Sequence, residues 1–145
     1  MNLPIITSAV ALCATVTGGL LSGLYFAFEV STRKSFARLP DDQYVEVFAG
    51  INQAILNPRF LTVFALAPLS SVLLAILVPT RWTILAATAS LVALGITVAG
   101  NVPLNNYLDN AFTSQNAVSE IRANFESRWN SLNACLLYTS DAADE

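Results

Sequence analysis

Three stretches of this sequence carry no charged side chain: Met1–Phe28, Phe60–Thr80 and Trp82–Leu108. Each exceeds the roughly 20 apolar residues that cross a bilayer as an α-helix. Backbone in lipid must satisfy its own hydrogen bonds, which a helix does within a single segment. The sequence therefore predicts an all-α, multi-pass membrane helix bundle, with spans over about residues 4–28, 60–79 and 82–107. The first stretch differs from an ordinary signal peptide, because it has no basic start and its apolar run is too long. Cys13 follows Leu12 rather than a small residue, which argues against a lipoprotein cleavage site.

Composition agrees and narrows the chemistry. Charged residues make up 12% and mean hydropathy is +0.57, against roughly 25% charged in a soluble domain. Disorder and nucleic-acid binding are excluded, the second for want of a basic field. There is no histidine, which removes Ser-His-Asp and Cys-His catalysis and His-ligated haem, copper or iron. Two cysteines, Cys13 and Cys135, are too few for a four-cysteine zinc site. Neither a Walker loop nor a dinucleotide fingerprint is present. No metal or cofactor of the protein's own is expected.

Charge placement suggests an orientation. Arg33, Lys34, Arg38 and Arg59 lie between spans one and two, and Arg122 and Arg128 follow span three. Only Arg81 lies between spans two and three. The positive-inside rule puts the first loop and the C-terminal segment in the cytoplasm and the N-terminus outside, as in a bacterial inner membrane. Ala14, Gly18 and Ser22, with Gly19 and Gly23, are spaced as a small-residue helix-packing seam, internal or homodimeric. Tyr25, Phe26 and Phe28 are expected as interfacial anchors.

Two polar segments read as amphipathic helices. Over about 41–56, with Asp as the N-cap, Tyr44, Val47, Phe48, Ile51 and Ile55 share a face flanked by Asn52; Asn57-Pro58 ends the helix. Over about 114–133, Val118, Ile121, Phe125 and Leu132 make a stripe beside a row of Arg122, Glu126, Trp129 and Asn133. That row is either an exposed ion pair with neighbours or the lining of a pocket under the spans.

Span three ends in an asparagine-rich block. Thr97, Asn101, Asn105 and Asp109 recur every four residues and share a face if the helix continues. Pro103 has no N–H to give the carbonyl of Ala99, so a kink is expected there. Asn52, Asn57, Asn101, Asn105, Arg128, Trp129 and Asn133 all fall at the same predicted end of the bundle. They form either a structural hydrogen-bond network or the lining of a polar cavity.

Gly23-Leu24-Tyr25-Phe26-Ala27-Phe28, Arg38-Leu39-Pro40, Ile51-Asn52, Asn57-Pro58-Arg59-Phe60, Asn101-Val102-Pro103-Leu104-Asn105 and Arg128-Trp129 with Asn133 occur in that order. In this, roughly residues 8–134 resemble the anthrone oxygenase-like family of small membrane proteins. The resemblance implies a four-helix membrane fold. It also implies, from some fungal members, oxidation of polyketide anthrones to anthraquinones without a metal or flavin; most bacterial members have no assigned activity. The pattern departs at Cys135, where the family's arginine and fourth span are missing. Residues 135–145 instead resemble a translated sequencing adapter. The expectation is a single domain over 1–134, truncated before its fourth span, with a foreign tail holding Asp141, Asp144 and Glu145.

An oxygenase of this kind needs a hydrophobic, acidic substrate that reacts with O2 as an enolate-like anion. Asn52, Asn101, Asn105, Asn133, Trp129 and Arg128 are the candidate donors for that anion. Glu29 and Asp109 are the candidate bases, since burial raises a carboxyl's proton affinity. A non-catalytic membrane binding or assembly protein is the alternative. A transporter is disfavoured because the spans hold no charge for ion coupling. The expected partners are the bilayer, a hydrophobic small molecule and a second copy.

Overall fold

The computed structural model describes residues 3–144 and is helical throughout, with no strand among the described residues. Helix α1 spans Leu3–Ala27 and passes through a π turn at Phe28–Thr32 into the short α2, Arg33–Phe36. Then come α3 (Asp41–Ile55), α4 (Pro58–Leu77) and α5 (Arg81–Ile96). A second π turn at Thr97–Asn101 joins α5 to α6 (Val102–Thr113), and α7 runs from Val118 to Asp144. The runs Leu3–Phe36, Pro58–Leu77 and Arg81–Thr113 are long and apolar enough to cross a membrane. Their outward leucines and isoleucines, such as Leu12 at 65% and Ile76 at 70% exposure, suit lipid rather than water.

Local chemistry sets the boundaries. Asn57 caps α4, its Oδ1 accepting from the Phe60 N–H at 3.1 Å, and Pro58 occupies the first turn where no N–H is needed. At α5, Thr80 and Thr83 form a reciprocal capping box. Helix α3 departs from expectation, because Pro40 holds the N-cap position and Asp41 is already helical. Asp41 instead accepts from Arg122 on α7. A turn over 114–117, with Gln115 left-handed at φ 56°, folds α7 back against α6.

The spans and α7 close a ring: α1 packs on α4, α4 on α5, α5 on α7 and α7 on α1. The second polar segment is thus the fourth member of the bundle. It begins four residues later than expected and continues without a break past Cys135. Glu145, at the end of the expected foreign tail, lies outside the described residues.

The best-buried core sits at one end of this ring. Tyr44, Val45, Phe48 and Ala49 of α3 pack with Leu108 and Ala111 of α6 and Ile121 and Phe125 of α7. The buried face of α3 is rotated from the predicted stripe. Val47 and Ile51 are exposed, while Val45, Ala49 and Asn52 turn inward. On that inward face Asn52 Nδ2 donates to Asp109 Oδ1 at 3.4 Å, beside the packed Val45 and Ala49. Tyr25 and Phe28 are not interfacial anchors either. Three residues apart, Tyr25 near the end of α1 and Phe28 in the π turn both turn inward, whereas Phe26 points outward.

Candidate functional site

Trp129 is the hinge pin of the site. Its ring lies 4.5 Å from that of Phe28 and 4.9 Å from that of Phe48, centroid to centroid. Its Nε1–H donates to Asn105 Oδ1 at 2.9 Å, tying α7 to α6. A half-buried indole packed among aromatics is stabilised by such a partner for its single polar group. Phe36 and Tyr44 extend the edge-to-face cluster.

That bond fixes the register of two antiparallel helices. One turn along, four residues back on the α5–α6 rod and four forward on α7, stand Asn101 and Asn133. Close packing at this level is confirmed by Gly100, where an added Cβ would meet Leu132 Cδ1 at 2.8 Å. Asn101 is 5% exposed and Asn133 3%. Yet Asn101 Oδ1 and Asn133 Nδ2 are buried without a hydrogen-bond partner. One level is closed by a direct bond, and the next holds an unpartnered acceptor on one helix and an unpartnered donor on the other.

The asparagine face predicted for span three is therefore shared out among neighbours. Thr97 donates to Ala93 O one turn back, Asn105 pairs with α7 and Asp109 with α3, while Asn101 is buried with its Oδ1 unpartnered. Two π turns flank the site, one carrying Phe28 and Glu29, the other Thr97 to Asn101. Such turns recur at functional sites because they widen the helix and re-aim side chains. The second immediately precedes Pro103, whose missing N–H disrupts the α ladder there.

The other candidates divide. Glu29 pairs with Arg33, but its Oε2 is buried and has no partner. Arg128 is exposed and stands apart from the amides. Asn57 is exposed and serves α4 as its cap. Arg122 is neither a surface ion pair nor a pocket wall. Its guanidinium donates to Leu39 O at 2.7 Å, Asp41 Oδ1 at 3.0 Å and Glu126 Oε2 at 2.8 Å, and stacks 4.5 Å over the Tyr44 ring. These hydrogen bonds, led by the one to Glu126, raise its proton affinity further. Burial raises the pKa of Tyr44 well above the usual phenol value, with Glu126 adding to the shift and Arg122 opposing it.

Above Tyr25 lies a partly open cavity of about 180 Å3 between α1, α4 and α5. The small residues Ala14, Gly18, Gly19 and Ser22 line it rather than forming a close seam. A Cβ at Gly18, Gly19 or Gly23 would meet nothing within 4 Å. No charged side chain lines it. Most hydroxyls in these spans bond a carbonyl one turn back, as Thr17, Ser70 and Thr88 do. Thr15, Ser22 and Ser90, all on the cavity wall, do not.

A family model described as anthrone oxygenase matches residues 48–135 of the chain. That match takes in the second half of α3, all of α4 to α6 and the part of α7 that carries Trp129 and Asn133. No curated protein and no solved structure matches it.

Proposed function

The chain belongs to the anthrone oxygenase family, and on that premise we propose that it is an integral membrane oxygenase acting on an uncharged aromatic substrate. The observation that carries this reading is the uncharged, hydroxyl-lined cavity of about 180 Å3, in a bundle that also buries Asn52, Asn101 and Asn133. An apolar cavity with a few oriented polar groups is what a small hydrophobic ligand requires. An engineered cavity of about 150 Å3 holds benzene, so this one suits a ligand of one or two rings, or one edge of a larger one.

The reaction is oxidation of an activated methylene. A base removes one C–H proton and leaves an enolate-like anion. The anion transfers electron density to O2 and forms a C–O bond, giving a hydroperoxide once protonated. Loss of water from that hydroperoxide leaves the ketone, so one oxygen atom enters the product and the other leaves as water. Glu29 is our choice of base, because its Oε2 is out of water and free of a partner. Asn133 Nδ2, buried and without a partner, is the donor available to the developing anion, and Asn101, Asn105 and Asn52 complete the polar layer around it, Asn101 Oδ1 being open to a substrate hydroxyl. Trp129 holds that layer in register, and Arg128 at the surface balances charge at a distance. The basic residues at this end support a site on the cytoplasmic side of a bacterial inner membrane.

The test is direct. Full-length protein in liposomes is given an anthrone and O2, with O2 uptake and quinone absorbance followed against protein-free liposomes. Acceleration is expected, and Asn101→Leu should reduce it at least tenfold while leaving the helical circular dichroism intact. A rate equal to the protein-free control refutes the reading for that substrate.

A further inference from the structure

We propose that Asn101 and Asn133 together form a receptor for one hydroxyl group, so that the site binds phenols or enols in preference to ketones and ethers. The inference rests on the reading above for its aromatic ligand, but not on turnover. Both side chains are more than nine-tenths buried, and each holds one buried polar atom without a partner. The two atoms differ in kind: Asn101 Oδ1 can only accept and Asn133 Nδ2 can only donate. The Trp129–Asn105 bond and the close approach of Gly100 to Leu132 set the register of α7 against the second π turn, and that register brings both residues to one level of the bundle.

Leaving an amide atom buried and unsatisfied is costly, and native structures rarely do it twice in one place. An occupant that satisfies both must donate to one side and accept from the other. A hydroxyl does so with a single oxygen. A ketone or ether oxygen accepts from Asn133 and leaves Asn101 unpaired; a bare ring leaves both. A site built to bond a hydroxyl rejects analogues that lack it far more strongly than an apolar pocket discriminates by size.

The experiment is equilibrium dialysis of 1-naphthol, 1-methoxynaphthalene and naphthalene against the full-length protein in nanodiscs, with empty nanodiscs as the blank. Oxygen is excluded, so an absence of turnover cannot mask binding. Naphthol is expected to bind at least tenfold more tightly than methoxynaphthalene, with naphthalene weakest. Asn101→Leu and Asn133→Leu should each abolish the preference, and the double variant should lose little more than either alone. Asn101→Gln, which restores an acceptor, should recover part of it. Equal binding of the three probes by the wild-type protein overturns the proposal and marks the pair as a water site. So does a naphthol preference that survives in the double variant.

Discussion

Replacing Trp129 by phenylalanine removes one hydrogen-bond donor while keeping an aromatic ring in the cluster. The lost bond is Nε1–H to Asn105 Oδ1 at 2.9 Å. A neutral hydrogen bond contributes about 1 kcal/mol net, and a part-buried acceptor left without its donor costs about 1–2 kcal/mol more. The smaller ring also gives up contact with Phe28 and Phe48, now 4.5 and 4.9 Å away. We expect Trp129→Phe to cost about 2–3 kcal/mol in all. Asn105→Leu removes the acceptor as well, so the double variant should be no worse than the sum and better by about 1 kcal/mol, near the average for interhelical bonds in membranes. Reversible unfolding in mixed micelles, followed by far-ultraviolet circular dichroism, measures all four corners of the cycle. Additivity to within about 0.3 kcal/mol would mean that the two side chains do not couple, and the register argument that brings Asn101 and Asn133 to one level would lose its anchor.

Arg122→Lys keeps the charge but not the fork that bridges Leu39 O, Asp41 and Glu126; a loss of about 2 kcal/mol is expected, with earlier proteolysis of the loop before α3. Gly100→Val should destabilise by about 1–3 kcal/mol through overpacking against Leu132, whereas Gly18→Ala, with open space around it, should be neutral or raise stability by up to about 1 kcal/mol; thermal melts compare the two. Tyr44 has its pKa raised in the folded state, so the unfolded chain loses that proton first. Stability should hold up to about pH 10 and fall as pH rises beyond it, and Tyr44→Phe should flatten that decline in melts taken between pH 8 and 11.

The membrane spans were legible because absence of charge over 20 residues has few other meanings. The gathering of Asn52, Asn101, Asn105, Trp129 and Asn133 was legible in outline, since spacing and topology bring them to one end. What each of them touches was not. A four-residue repeat predicts one shared face only if the helix stays in α register, and the turn at Thr97–Asn101 does not. Phe28 and Tyr25 looked like interfacial anchors because an aromatic at a span's end serves either role; the three-residue interval that puts them together, with Phe26 aside, was the available signal. Small residues on α1 were read as a seam, but small side chains permit close approach without requiring it. Here they leave a space. Arg128 and Asn57 matched the pattern and lie outside the cluster, one at the surface and one at a helix cap. Composition at one end of a bundle does not say which residues turn inward.

The two π turns also bear on how related chains should be compared. An α-helix advances about 100° per residue, so each extra residue in a wide turn swings everything beyond it by that angle. Removing one residue between Thr97 and Asn101 would leave hydropathy and composition almost unchanged. It would nonetheless carry Asn105 away from Trp129 and Asp109 away from Asn52. Two chains could then share a membrane profile and differ wholly in what they hold at its base. A single-residue gap at 28–32 or 97–101 is therefore a change of site, and a stretch of alignment that scoring treats as cheap is where specificity is rewritten.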